Sequence, residues 1–383
     1  RVREVGSYSA TPIGSMPQRI QAVRDLLHRD FSFYRGDMSN FRFVEDTVRA
    51  FKPDTIVHLA EQRSAPYSMI DVHHAVRTQV ENLTGTLHLL YAIRDVAPDT
   101  HLVKMGTMGE YGTPNVEIPE GFFDIEYRGR QDRLPFPRSA GSWYHWSKVF
   151  DSGDVMFATK IWNLKATDVM QGVIYGTRTP EITDRRLLTR FDFDETWGTA
   201  LNRFAVEAVV GLPITPYGEG FQSRGFIALE DSIQSLRLAV ENPPTRSEYR
   251  VFNQFDAAYT VNELAEMTRR VGEELGLSPR IEHPPDPRVE AERHFYQPVH
   301  EHLPRLGYTR SRNLEVVLRE ILQDLKRYRR RLEAKKHVIM PAVQWREADN
   351  RAHLSERASP EPAHQTVASS VPSPPTPSGP NSA

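Results

Sequence analysis

The sequence predicts a doubly wound α/β fold, in which helices cover both faces of a parallel sheet, followed by a smaller α+β region. Three observations carry this. Short β-branched runs alternate with longer helical stretches up to about residue 176. A buried run at 101–106 ends abruptly in KMGTMGEYGTP (104–114), where glycines mark a tight exit from a strand. After about residue 177 the rhythm changes to prolines, short apolar runs and shorter helices.

In order, 31–37 (FSFYRGD) reads as a strand, 40–51 as an amphipathic helix and 54–61 (DTIVHLAE) as a buried strand. A long helix follows over 68–96, then a strand at 101–106, a helix over 142–162, a strand at 166–176 and a helix over 196–211. Beyond it, 213–220 and 249–255 read as short extended runs between helices near 230–241 and 260–276. A charged helix over 313–336 carries Leu314, Val317, Leu318, Ile321, Leu322 and Leu325 at helical spacing and is expected to pack by that face. Residues 1–176 are therefore assigned to one domain and 177–345 to a second region with a strand crossing back to the sheet, while the Pro/Ser-rich 346–383 is expected to be disordered.

Composition excludes several classes of function. Net charge is -2, which gives no polyanion-binding bias, so no nucleic-acid partner is expected. There is no cysteine, hence no disulfide, thiolate metal site or cysteine nucleophile, and no metal is expected. No apolar run approaches the roughly 20 residues that span a bilayer. A soluble chain in the cytoplasm is expected, or in a plastid after loss of a transit peptide.

The chemistry gathers at Tyr144 and Lys148, separated by four residues on one predicted helix. That spacing stacks the two side chains on one face, so the ammonium is expected to lower the phenol's pKa from about 10 toward that of a useful base. Thr107, at the end of the preceding strand, is expected to share a substrate hydroxyl with Tyr144, while Lys148 holds the tyrosinate and a cofactor ribose. The bland alternative is an ordinary surface pair on a packed helix.

This arrangement resembles the extended short-chain dehydrogenase/reductase family, Rossmann-like enzymes that transform nucleotide sugars on NAD. YRGDM (34–38), VHLAEQR (57–63) and NLTGT (82–86) follow in the family's order. The resemblance implies cofactor contacts from Asp37, Leu59, Ala60, Arg63, Asn82, Tyr144, Lys148 and Ile174. The longer strings EQRSAPYSMID (61–71), MQGVIYGTRT (170–179), GTALNRFAVEAVVG (198–211), DPRVEAERHFY (286–296) and IMPAVQW (339–345) resemble its sulfolipid-biosynthesis branch. That likeness implies an NAD-dependent enzyme converting UDP-glucose and sulfite to a UDP-linked sulfosugar and water, with sulfite supplied directly or by a donor protein. Oxidation at C4 acidifies C5, the C6 hydroxyl leaves, sulfite adds, and the hydride returns.

By the same resemblance, Arg63, Thr107, Tyr144, Gln171, Asn202, Arg203, Tyr217, Gln222, Arg224, Arg288 and Glu290 line the substrate. Arg63, His145 and backbone donors near Gly106 are candidates for guiding sulfite. Related 4,6-dehydratases carry an Asp-Glu pair after the threonine, where this chain has Met108 and Gly109. Acid and base work then falls to Glu110 or His145, unless Glu110 caps a turn or pairs with an arginine and His145 is a core or surface residue. The family's Gly-x-x-Gly-x-x-Gly turn is not found; the early glycines are Gly6 and Gly14, and the chain opens on Arg1. A chain truncated so that the first βαβ elements are missing, and which would bind NAD poorly without them, is the expectation. Relatives imply a homodimer. The alternatives are a UDP-sugar 4-epimerase or 4,6-dehydratase, or a non-catalytic nucleotide-sugar-binding relative.

Overall fold

The computed structural model describes residues 7–29, 31–291, 293–347 and 350–351. Its first half contains α1 (Met16–Leu27), α2 (Phe41–Phe51), β1 (Thr55–His58), α3 (Ala65–Ser68), α4 (Val72–Val96), β2 (His101–Thr107), β3 (Phe122–Tyr127), β4 (Arg130–Pro135) and α5 (Trp143–Trp162). The second half contains β5 (Lys165–Gln171), β6 (Val173–Tyr175), α6 (Ala200–Val210), β7 (Ser223–Ala228), α7 (Leu229–Glu241), β8 (Tyr249–Gln254), β9 (Ala257–Thr260) and α8 (Val261–Glu274). Three short or late helices follow, α9 (His302–Arg305), α10 (Leu314–Lys326) and α11 (Arg329–Glu333).

β1, β2, β5 and β8 form a parallel sheet in that order. Strand β8 brings the later part of the chain back to this sheet. β-Branched and other apolar residues drive the assembly: Val44, Val48, Leu89, Leu90, Ile93, Leu102, Val155 and Ala166 bury together between the sheet and α2, α4 and α5. A second sheet, β6-β7-β9, rests on α6, α8 and α10. All six apolar residues expected to form the packing face of α10 are buried there.

Several expected elements differ. Residues 31–37 are exposed and form no ladder. The position beside β1 in the sheet is not filled by a described strand. The 68–96 helix breaks into α3 and α4, because Asp71 is extended and its carboxylate accepts from the His74 amide at 2.9 Å, starting a new helix. The 166–176 strand divides at Gly172. A Cβ there would stand 2.7 Å from Gly225 O and 2.9 Å from Gln254 O, and β5 and β6 belong to different sheets on its two sides. The unexpected β3–β4 hairpin turns through Arg128 (φ 52°) and Gly129 (φ 73°), the two-residue left-handed geometry that matches strand twist. The Pro/Ser-rich tail expected to be disordered lies outside the described residues, apart from 346–347 and 350–351.

Candidate active site

A cavity of about 600 Å³ opens at the carboxyl ends of β2 and β5, the end of a parallel sheet at which ligands bind. One wall carries Thr107, Met108, Gly109, Tyr144, His145 and Gln171. The lining also includes Gln222, Arg224, Arg288, Glu290, Tyr296, Trp345 and the half-exposed Arg63.

Local structure sets each group of the first wall. Strand β2 ends at Thr107, whose hydroxyl accepts from the Gly109 amide at 3.2 Å while Glu110 accepts from the Thr107 amide at 3.2 Å. This reciprocal cap holds the turn after the strand. Gly106 is required beneath it, since a Cβ would meet Asp168 Oδ1 at 2.6 Å. Ser142 caps α5: its hydroxyl accepts from the His145 amide at 3.2 Å and lies 2.9 Å from His145 Nδ1. Tyr144 enters from the same turn, its amide donating to Ser68 Oγ at 3.0 Å, and its ring lies 4.9 Å from that of His145. The imidazole's other nitrogen points at Gly109, where a Cβ would stand 2.4 Å from Nε2. Burial, reinforced by Arg224 and Arg288, depresses His145 to about 3, so its imidazole is neutral.

Lys148 lies beneath the cavity rather than in it. Its ammonium is 2.5 Å from Glu61 Oε2 and also donates to Met105 O. The expected lowering of the phenol does not occur. Burial pushes Tyr144 well above its usual range, Glu61 and Glu110 push it further, and Arg63 and Lys104 only partly offset them.

Glu110 is fully buried and turned away from the cavity. It pairs with Arg138, accepts from Ser152 Oγ at 2.9 Å and lies 3.6 Å from Lys104 Nζ. Turn cap and arginine partner are both its roles here. Lys104 and Asp168 sit opposite each other in the β2–β5 register, bridged by Ser152 at 2.7 and 2.6 Å. Burial opposes ionisation of Asp168, but Lys104, Arg138, Ser152 and Tyr249 outweigh it and hold its pKa low. Sequence reading missed this cluster. The signal available was a charged residue at the middle of each of two buried strands.

The other expected residues divide between the cavity, its support and the sheet edge. Arg224 pairs with Glu290, Gln222 donates to Asp286 at 3.2 Å, and Arg288 lies over Trp345 at 5.7 Å. Arg63 pairs with Asp192 and stacks over Trp197 at 5.4 Å. Asn202, Arg203 and Tyr217 are not in the lining. Asn202 donates to Asp192 O at 3.0 Å, and buried Arg203 donates to Thr215 O at 2.6 Å while stacking on Tyr217 at 3.8 Å. Ile174 packs with Val103 and Val169, and Val173 lines the cavity in its place. Asn82 bonds both the amide and the carbonyl of Gln62 and Ser147 Oγ at 2.8 to 3.0 Å, fixing the loop after β1. Asp37 accepts from the Ser39 amide and hydroxyl at 2.9 and 2.8 Å.

The residues present fit the nicotinamide-side half of a dinucleotide. Leu59 and Ala60 are exposed and apolar at the carboxyl end of β1, next in sequence to the Glu61 that Lys148 contacts, and the Lys148 ammonium and Tyr144 phenol are donors of the kind suited to ribose hydroxyls. Among the described residues no helix is long and apolar enough to cross a membrane.

Residues 6–253 match the model of the NAD dependent epimerase/dehydratase family. The chain is 50% identical over 344 residues to a UDP-sulfoquinovose synthase of Sulfolobus acidocaldarius, covering 90% of this chain and 88% of the relative. It is 46% identical to a chloroplastic UDP-sulfoquinovose synthase of Spinacia oleracea, covering 90% of this chain and 71% of that one. In fold it is similar to the UDP-glucose 4-epimerase of Thermotoga maritima solved with UDP-glucose, with a TM-score of 0.62, 18% identity and coverage of 82% and 96%. The Thermus thermophilus UDP-glucose 4-epimerase solved with NAD gives a TM-score of 0.57 at 21% identity, with coverage of 82% and 96%. A Rossmann-like parallel sheet, a strand-end threonine facing a helix tyrosine, and half-identity to enzymes over nine-tenths of the sequence together define its kinship: the chain belongs to the NAD dependent epimerase/dehydratase family, on the branch of its UDP-sulfoquinovose synthase relatives.

Proposed function

We propose that this chain converts UDP-glucose and sulfite to UDP-sulfoquinovose and water, using and regenerating NAD. The observation that carries the proposal is the convergence of Thr107, Tyr144 and neutral His145 on one cavity that Arg224 and Arg288 also line. The two guanidinium groups suit the diphosphate and Gln171 the hexose. Leu59, Ala60, Tyr144 and Lys148 would hold the nicotinamide side of NAD, which when bound accepts hydride from C4 and later returns it.

Thr107 and Tyr144 bind the C4 hydroxyl; burial favours the protonated phenol, and the positive charge of bound NAD would favour the tyrosinate that takes the C4 proton. With a ketone at C4, the C5 proton is acidic, and the neutral imidazole of His145 can accept it. The same proton leaves with the C6 hydroxyl as water. Hydrogensulfite then forms the C6–S bond and brings the proton that C5 regains; Tyr144 returns the C4 proton. Half-exposed Arg63 in the cavity lining favours entry of the anion.

A homodimer completes the proposal. Val72, Val76, Val80, Leu87 and Tyr91 of α4 and Phe150, Phe157 and Ile161 of α5 form an exposed apolar stripe, which a second copy would cover.

The test is turnover of UDP-glucose with sulfite by protein supplied with NAD. Tyr144→Phe is expected to lower kcat at least about 10²-fold with UDP-glucose binding retained. Release of a 4-keto-6-deoxy sugar without sulfite would overturn the reading in favour of a dehydratase, and unchanged kcat in Tyr144→Phe would remove the assigned base.

A further inference from the structure

We propose that Asn350 is a positioning residue for the diphosphate: it fastens Gln344 and Trp345 to the junction of α3 and α4, so that Trp345 holds the Arg288 guanidinium in the cavity lining. The proposal deepens the reading above and rests on it, because Arg288 is there assigned to the diphosphate.

Asn350 lies in the stretch that the sequence predicts to be disordered, yet it is completely buried. Its side chain is satisfied at both ends of the amide. Oδ1 accepts from the Gln344 amide at 2.7 Å, while Nδ2 donates to Gln344 O at 3.2 Å, Met69 O at 3.3 Å and Ile70 O at 3.4 Å. The backbone amide of Asn350 also donates to Ile70 O, at 2.8 Å. A carboxamide presents an acceptor and two donors at one tip, and this site uses both kinds together. Residues 342 and 343 are fixed from another side. Glu195 accepts from the amides of Ala342 and Val343 at 2.8 and 3.2 Å, and Val343 buries with Tyr67, Ile70 and Trp197.

Trp345 is the link to the cavity, which it lines. Its amide donates to Pro287 O at 2.9 Å, and the Arg288 guanidinium lies over its ring at 5.7 Å. Asp286 accepts from the Arg288 amide at 2.9 Å. Backbone and guanidinium of this short segment are thus both held by one tryptophan. A long flexible side chain costs less to order on binding when it is placed beforehand. The segment α3 keeps anchors of its own, since Ser64 Oγ accepts from the Tyr67 amide at 3.0 Å and Tyr67 is fully buried. Loss of the Asn350 side chain is therefore expected to reach Arg288 and to spare Tyr144, whose amide is held by Ser68.

A buried asparagine with these bonds also stabilises the fold. A purely structural role makes a different prediction: a lower melting temperature, with UDP affinity unchanged in the protein that remains folded.

The experiment uses the full chain supplied with NAD and compares wild type, Asn350→Ala, Arg288→Ala, their double variant, Trp345→Ala and Trp345→Phe. Kd for UDP is measured by calorimetry, and KM and kcat for UDP-glucose with sulfite by steady-state kinetics. Asn350→Ala and Trp345→Ala are each expected to raise Kd and KM about 10-fold and to leave kcat within about threefold. Trp345→Phe, which keeps a ring under the guanidinium, is expected to retain most of the UDP affinity. Because Asn350 acts through Arg288, adding Asn350→Ala to Arg288→Ala is expected to weaken UDP binding by less than about twofold further, whereas independent losses would multiply. Unchanged UDP affinity in folded Asn350→Ala, or multiplied losses in the double variant, overturns the proposal. If Asn350→Ala does not fold, Trp345→Ala against Trp345→Phe decides the matter by the same readouts. If wild type does not bind UDP, or Arg288→Ala binds it equally well, the assignment of Arg288 to the diphosphate fails and the proposal falls with it. If Arg288→Ala alone weakens UDP binding, that assignment stands whatever Asn350→Ala does.

Discussion

At Gly109 the absence of a side chain is itself functional. His145 Nε2 and Cδ2 would lie 2.4 and 2.5 Å from a Cβ at this position, and the imidazole is tied to Ser142 through Nδ1. Gly109→Ala must therefore displace the ring from the cavity wall. Its kcat is expected to fall at least about 10²-fold while KM for UDP-glucose changes little, since no diphosphate contact is touched. Steady-state kinetics with sulfite saturating would check this, and an unaltered kcat would remove His145 from the chemistry. Much at this scale was legible in the sequence. Tyr144, His145 and Thr107 announce themselves by type and spacing, and they do share one cavity. Glu110 was ambiguous because a glutamate three residues after a threonine reads equally well as a catalytic acid or a cap, and burial alone decides for the cap. Asn202 and Arg203 were expected in the lining because they lie in a matching string; helix rotation turns them toward Asp192 and Tyr217 instead.

The helices α4 and α5 pack against each other and against the sheet by one face, and each leaves a second apolar face in solvent. On α4 the exposed valines recur every four residues at 72, 76 and 80, and on α5 Phe150 and Phe157 are two turns apart. Light scattering of wild type is expected to give twice the chain mass, and Val80→Glu with Phe157→Glu is expected to give the monomer with its helical content retained. A wild-type monomer at micromolar concentration would refute the dimer. These helices were legible from their length and apolar content, although the Asp71 cap starts α4 four residues later than expected. Strands fared less evenly. The parallel strands stood out as buried runs, but 31–37 has the same local pattern and forms no ladder, since pairing depends on a neighbour that local pattern does not report. The β3–β4 hairpin was overlooked because all of β4 is exposed and charged residues dilute its alternation; the Arg128–Gly129 turn was the available clue.

At the scale of the whole molecule, three histidines among the described residues are held neutral chiefly by burial: His58 and His101 at about 4 and His145 at about 3, from an ordinary 6.5. Their folded pKa values lie below the unfolded one, so from about pH 6.5 downward the unfolded chain binds protons that the folded chain refuses. Stability is expected to fall through the window from 6.5 to about 4, by up to about 1.4 kcal/mol per pH unit for each histidine, and these groups add no dependence above it. Urea midpoints between pH 7.5 and 4.5 would reveal the trend; a flat profile would mean that the rings are protonated in the native state. The two-sheet layout was only partly legible, because 166–176 reads as one strand and the division at Gly172 comes from backbone meeting backbone. That join has a consequence for the cavity. Because the carbonyls of Gly225 and Gln254 leave residue 172 no room for a Cβ, the two sheets meet there backbone to backbone, and any side chain at 172 would part them where Gly172 and Gly225 line the cavity that must admit the sugar.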